Sequence, residues 1–426
     1  MTLGAVLTLG GVTGGWGQEL SGSLAAANTP SWDAFVLPTL PENWADLPFR
    51  LTASQTESYN SNINEVPLGS FVPSGESLGD VTSTTNLGFS TKANLYNQQL
   101  YLDTTFGVIR YLHHTGFNSD IYSVSAGDNW TLTSRCSGNL GVSLSKSPVE
   151  ITASVITASG VGSGVNYATS SAFNETGKCG IANGYSLLFN SGWSEITNSN
   201  PLDALNNNRT VMLSAGIEYA KGASTITGLV NNSETLYNRS AAVTVVGLAN
   251  VTDFHTFTLA YTRQINANFS VSASIGLVGT TNAFTLGLPR TLLPIYTLGS
   301  TWSLTPKLAL NASASKTISP PTTVIANAET AYDAQMSLTY AMTPKVAINV
   351  GGSISYTNGA FTPAVLTDLA PVLTGASDFY SVNAGLSYTI TPFLSAGLNA
   401  SYTERVTDHT ITPQDLVTVS LNYRPY

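Results

Sequence analysis

Four histidines and two cysteines carry most of what could do chemistry in this 426-residue chain. His113 and His114 are adjacent, and two imidazoles could begin a transition-metal site if Cys, Asp or Glu supplied the remaining donors. No acidic or cysteine residue lies beside the pair in the sequence, so it reads as a solvated loop feature; His255 and His409 stand alone. Cys136 and Cys179 either close one disulfide in an oxidising compartment or remain two small unpaired strand residues, and no metal site follows from them. The run Gly160-Val-Gly-Ser-Gly164 lacks the lysine and the following helix of a phosphate loop, which makes it a flexible strand end or turn. No spacing assembles a catalytic triad, and triplets such as Asn311-Ala-Ser313 follow from composition. The residues point to no enzyme, no cofactor and no metal.

What remains is the scaffold. Only 10% of the residues are charged, against roughly 25% in an ordinary soluble protein, and Ser, Thr, Asn and Gly fill the difference. The 25 acidic and 16 basic residues give a net charge of −9. The basic ones are scattered singly, which excludes a nucleic-acid surface. A membrane-spanning helix needs about 20 apolar residues in succession. The long uncharged runs do not supply them: Gln264 to Pro289 is interrupted by Ser, Thr, Asn or Gly about every second residue.

That interruption has a period of two. Tyr380, Val382, Ala384, Leu386, Tyr388 and Ile390 alternate with Ser381, Asn383, Gly385, Ser387 and Thr389, a pattern that a strand sorts onto two faces and a helix would scatter. The alternation returns in Tyr296–Leu304, Ala334–Met342, Val346–Tyr356 and Phe269–Leu277. Such runs exceed the common soluble strand of about 5 to 6 residues and suit the ~9 to 11 tilted residues that cross a bilayer. Short turns at Leu304-Thr-Pro-Lys307, Met342-Thr-Pro-Lys345, Ile390-Thr-Pro-Phe393 and Ile265-Asn-Ala-Asn268 alternate with long polar loops. Transmembrane barrels have short periplasmic turns and long outer loops. The repeated Thr-Pro turns would also suit propeller blades, but blade strands are shorter.

Aromatic placement supports the barrel. Tyr219, Tyr261, Trp302, Tyr340, Tyr356, Tyr388, Tyr402 and Tyr423 sit near strand ends on the aliphatic parity, where interfacial girdles belong. The expected fold is all-β, a transmembrane antiparallel up-and-down barrel of about 16 to 18 strands, with strands running from Asp80–Ser90 to Gln414–Tyr423 and including Glu150–Ser159. Residues 1–17 read as a remnant signal peptide without its basic region, the alternative being a Gly-rich first strand. Residues 18–79 hold Pro30, Pro38, Pro41, Pro48, Pro67 and Pro73 and read as an irregular periplasmic lead-in, leaving 80–426 for the barrel. The last strand ends in Tyr423 and Tyr426, either of which could serve as a terminal signal for the barrel assembly machinery, because Pro425 breaks the parity between them.

The segment Pro294–Thr322, with Trp302-Ser-Leu-Thr-Pro-Lys307 and Ser319-Pro-Pro-Thr322, together with Trp130-Thr-Leu-Thr-Ser134, Ser191-Gly-Trp193 and Tyr237-Asn-Arg239, resembles the outer-membrane β-barrel porin family of bacterial exopolysaccharide loci. The resemblance spans about residues 78–426 and implies an outer-membrane barrel with a part in polymer export or surface attachment.

If aliphatic residues face lipid, the lumen receives Asn311, Ser313, Ser315, Asp333, Gln335, Asn349, Ser353, Ser381, Asn383, Ser387 and Glu218. Opposed charge ladders of the kind that select ions are missing, with Asp333 and Glu218 read as isolated charges. Hydroxyls and amides exchange hydrogen bonds with sugar hydroxyls, so the expected cargo is polysaccharide, oligosaccharide or neutral sugar. A non-conducting structural or surface-anchoring barrel is the alternative. The remaining partners are outer-membrane lipid and the assembly machinery.

Overall fold

The computed structural model describes residues 49–63, 78–149, 156–157, 160–161, 166–199, 207–237, 251–282, 292–319, 328–360, 377–407 and 410–423. The strands, in chain order, begin with β1 (Phe49–Asn60), β2 (Asp80–Leu95), β3 (Gln98–Tyr111), β4 (Ser119–Thr133) and β5 (Cys136–Val149). Two short strands follow, β6 (Ile156–Thr157) and β7 (Gly160–Val161), and then β8 (Asn166–Gly180), β9 (Tyr185–Asn198), β10 (Asn208–Lys221) and β11 (Ser224–Tyr237). The remainder are β12 (Val251–Asn266), β13 (Phe269–Asn282), β14 (Leu292–Thr305), β15 (Leu308–Ser319), β16 (Ala328–Thr343), β17 (Val346–Ala360), β18 (Ser377–Thr391), β19 (Leu394–Thr407) and β20 (Thr410–Tyr423).

All but β6 and β7 belong to one 18-stranded antiparallel sheet. Each strand pairs with the next, and β1 closes the ring by pairing with β2 on one side and with β20 on the other, Ala53 opposite Tyr423 and Asn60 opposite Leu416. Closure leaves no strand edge, which is the condition for placing a sheet in lipid, where an unpaired backbone group has no water to turn to. No helix among the described residues is long and apolar enough to cross a membrane.

The short turns gather at one end of the barrel, and their threonines explain their shape. The Thr343 hydroxyl accepts the amides of Lys345 at 3.2 Å and Val346 at 3.0 Å, and Thr391 does the same for Phe393 and Leu394 at 3.2 and 3.0 Å. Thr305 accepts the Lys307 amide, and Thr133 caps Arg135 and Cys136 without any proline. A side-chain acceptor at the first turn position holds two amides that the reversing chain has taken out of the ladder. The β8–β9 turn uses Asn183 at φ 51° and Gly184 at φ 86°, a left-handed pair that asparagine and glycine tolerate best.

Two strand assignments differ from expectation while the number of strands agrees. Strand β1 lies inside the 18–79 segment expected to be irregular, in the proline-free interval between Pro48 and Pro67. Of the expected strand Glu150–Ser159, the described part, Ile156–Thr157, is not in the barrel, and the rest lies outside the described residues. β5 pairs directly with β8 from Cys136 opposite Cys179 to Val149 opposite Asn166, and Ile156–Thr157 pairs only with Gly160–Val161. An up-and-down barrel must add strands two at a time to keep neighbours antiparallel, so one strand cannot enter between β5 and β8. The start of the Gly160–Gly164 run is thus one arm of a small hairpin, and residues 162–164 lie outside the described residues. So do residues 1–48, His409 and Tyr426.

Candidate functional site: the inner wall of the barrel

Register brings the expected polar residues together on one face. Ser313 lies opposite Gln335, Ser315 opposite Asp333, Gln335 opposite Ser353, and Ser353 opposite Ser381. Asn383 pairs with Gly351, Asn349 with Gly385, Ser387 with Ala347, and Asn311 with Ser337. The Ser353 and Ser381 hydroxyls are 2.8 Å apart, and the Ser355 hydroxyl donates to Asp333 at 2.6 Å. The same face continues round the ring through Asn399, Thr418, Ser58, Thr82 and Thr84, and on the far side through Asn190, Ser214, Asn231 and Thr256. The inner wall is therefore a near-continuous surface of hydroxyls and amides.

Its charges balance. Among residues whose side chains are described, Arg50, Lys92, Lys178 and Arg405 share the inner parity with Asp80, Asp103, Glu218 and Asp333. Glu218 is not isolated, as its sequence context suggested. It forms an ion pair with Lys178, reaching across β9 between β8 and β10. A carboxylate and an ammonium that neutralise each other on one patch of wall leave little transverse field for sorting ions.

The opposite parity carries the aliphatic side chains, many of them exposed: Leu386, Val382, Ile354, Met336, Leu298, Ile275, Leu259 and Ile217. Trp302, Tyr340, Tyr356, Tyr388, Tyr402 and Tyr261 lie exposed toward the strand ends of that parity. Tyr219 packs against Tyr185, and Tyr423 against Phe393. The apolar band is interrupted on β1 and β2. There the Gln55 amide donates to Glu57 at 2.7 Å and to Ser83 at 2.8 Å, and Ser83 donates to Glu57 at 2.8 Å. This network satisfies a carboxylate that would otherwise be costly beside lipid.

At the loop end, His113 and His114 have the acidic partner that their sequence neighbours lack. Asp80, whose side chain is fully buried, accepts the His113 amide at 3.0 Å, the His114 amide at 2.8 Å, and the His114 ring nitrogen Nδ1 lies 2.8 Å from it. The His114 ring stacks on Phe117, and the Tyr167 hydroxyl donates to the Phe117 carbonyl at 2.5 Å. The carboxylate thus fastens the β3–β4 loop to the barrel rim. Its oxygens are taken up by N–H donors, and no group of three or more His, Cys, Asp or Glu placed to hold a metal occurs among the described residues.

At the turn end, Cys136 and Cys179 form a disulfide across paired positions of β5 and β8, with Cα atoms 4.1 Å apart. That separation is the close spacing of antiparallel residues not bonded through their own backbones.

One part of the wall is apolar. Phe254, Val278, Ile295 and Ile318 form a buried cluster with Leu293 packed against it near the loop ends of β12 to β15. Beside it Thr235 and Thr252 are 0% and 1% exposed. No sequence pattern marks Phe254 or Val278, because each is one apolar residue in an otherwise polar inner row; Ile295 follows Leu293 on the inner row of β14, and Ile318 joins them from the outer parity of β15.

No protein-family model and no curated protein matches the chain. Solved structures of similar fold include the apoprotein form of the FrpB iron transporter (F5-1 variant) of Neisseria meningitidis. It has a TM-score of 0.50 and 11% sequence identity, with 89% of this chain and 81% of that chain covered. OprD of Pseudomonas aeruginosa gives 0.47 and 10% identity, covering 92% and 96%, and OpdL of the same organism 0.45 and 10%, covering 89% and 99%. A closed ring of 18 antiparallel strands, with an aliphatic outer band, aromatic residues toward both of its margins and a polar inner wall, is a β-barrel of the bacterial outer membrane.

Proposed function

We propose that this chain is a pore for neutral, hydroxyl-rich solutes, carrying sugars or, at an exopolysaccharide locus, the exported polymer. The observation that carries this reading is the inner wall of Ser, Thr and Asn with its charges balanced. Such a wall trades hydrogen bonds with water for hydrogen bonds with sugar at little desolvation cost, and it offers ions no field. In this reading the outer face contacts membrane lipid, with Tyr219, Tyr261, Trp302, Tyr340, Tyr356, Tyr388, Tyr402 and Tyr423 at the headgroup levels. The short turns and both termini lie on the periplasmic side, the assembly machinery recognises the final strand, and the chain catalyses no reaction.

Proteoliposome swelling tests it. Vesicles carrying the protein, placed in isoosmotic disaccharide, swell at a rate set by sugar entry, and the reading expects swelling well above protein-free vesicles. One observation favours the anchoring alternative: the inner face is almost fully buried around Thr235, Thr252 and the Phe254 cluster. Verified insertion without swelling would establish that second reading and remove the first.

A further inference from the structure

We infer that the inner wall carries a saccharide-stacking subsite centred on Tyr101, a more specific statement that rests on the pore reading. Tyr101 is on the inner parity of β3, opposite Gly127 of β4, which is itself opposite Gly141 of β5. A Cβ added to Gly127 would collide with the Tyr101 hydroxyl and lie 2.6 Å from its ring carbon Cζ, and one added to Gly141 would lie 3.3 Å from the hydroxyl. The side chain therefore runs sideways across β4 toward β5. Two successive glycines leave room for the half-buried ring against the wall, and a ring lying flat over them would turn its free face to the lumen.

One row nearer the turn end, four amides form a directed chain on the same face. Asn139 donates to Asn129 at 2.8 Å, Asn129 to Gln99 at 3.4 Å, and Gln99 to Asn94 at 3.0 Å. These bonds orient the amides; Asn139 also donates to the Asp128 carbonyl at 3.5 Å, while Asn129 and Gln99 each spend one of their two N–H groups in the chain and keep the other at the edge of the plate. On the other side, Asp103 occupies the same face of β3 two residues along, opposite Ser125.

A flat aromatic ring with oriented amides on one side and a carboxylate on the other fits one ligand class. A neutral pyranose has an apolar C–H face that can lie on the ring and hydroxyls around its rim that reach the flanking polar groups. An inorganic ion has no apolar face to use the ring. An aromatic solute has no rim of hydroxyls to use the amides.

Current block in a planar bilayer tests the subsite, using maltohexaose as the probe and a polyethylene glycol of matching size as the control. Wild-type current falls with maltohexaose more than with the control. Tyr101→Ala raises the half-blocking concentration about three- to tenfold, the loss of one aromatic contact, whereas Tyr101→Phe, which keeps the ring, stays near wild type. Heat-modifiable migration on gels confirms that each variant is folded, and Asn129→Leu weakens block without touching the plate. Unchanged block in Tyr101→Ala, with wild-type conductance, overturns the subsite and leaves the pore reading standing. A conducting wild type blocked equally by both polymers also overturns the subsite. A folded, inserted wild type that does not conduct overturns the pore reading itself, and the subsite with it.

Discussion

Leu386→Arg destabilises the barrel by about 2 to 4 kcal/mol, whereas Asn383→Arg, three residues away on the same strand, leaves it close to wild type. Leu386 is 44% exposed on the outer face, level with Ile348 and Leu398 on the neighbouring strands. A guanidinium there must displace lipid or bend toward an interface. Asn383 is on the inner face, where its amide oxygen lies over Gly351, and the stem of an arginine can cover the same glycine while its head stays in water. Ile348→Arg should match Leu386→Arg, and Asn349→Arg should match Asn383→Arg. Urea unfolding in lipid vesicles measures the four values. Equal costs for both parities would mean that both faces are packed in protein, and the lipid-facing assignment would fall.

Removing the Cys136–Cys179 disulfide has an effect of comparable size. The bond joins residues 43 apart in sequence and ties together the turn ends of β5 and β8. It closes a loop that contains the β6–β7 hairpin and the full connection between the two strands. Loop-closure entropy for a ring of that length amounts to about 4 kcal/mol. The Cys136→Ser/Cys179→Ser double variant should lose up to that much unfolding free energy, and wild type in reductant should follow it. A double variant as stable as the oxidised wild type would show that the strand ladder alone confines this loop.

What could be read from the sequence is what depends on near neighbours in the chain. Alternation from Tyr380 to Ile390 assigns faces because strand side chains have a period of two. Thr-Pro turns announce themselves because the threonine caps amides only two and three residues ahead. Strand β1 escaped because its outer row, Leu51, Ala53, Gln55, Glu57 and Tyr59, breaks the apolar pattern with a glutamine and a glutamate. Their partners, Ser83 and Thr85, become visible only once β1 is laid beside β2. The missing partner of His113 and His114 is Asp80, 33 residues earlier, brought beside them by the β2–β3 hairpin. Lys178 and Glu218 are 40 residues apart and meet across an intervening strand. The Tyr101 plate depends on glycines of two further strands. Each of these needs register, which follows only after the whole ring has closed.

A neutral-solute pore depends above all on an inner wall that is polar but electrically balanced. The zero-current potential of the purified protein in a planar bilayer, under a tenfold gradient of potassium chloride, measures this directly. With Arg50, Lys92, Lys178 and Arg405 offset by Asp80, Asp103, Glu218 and Asp333, the expected potential is close to zero. A potential approaching the full Nernst value for either ion would contradict the balanced wall, and with it the neutral-solute function.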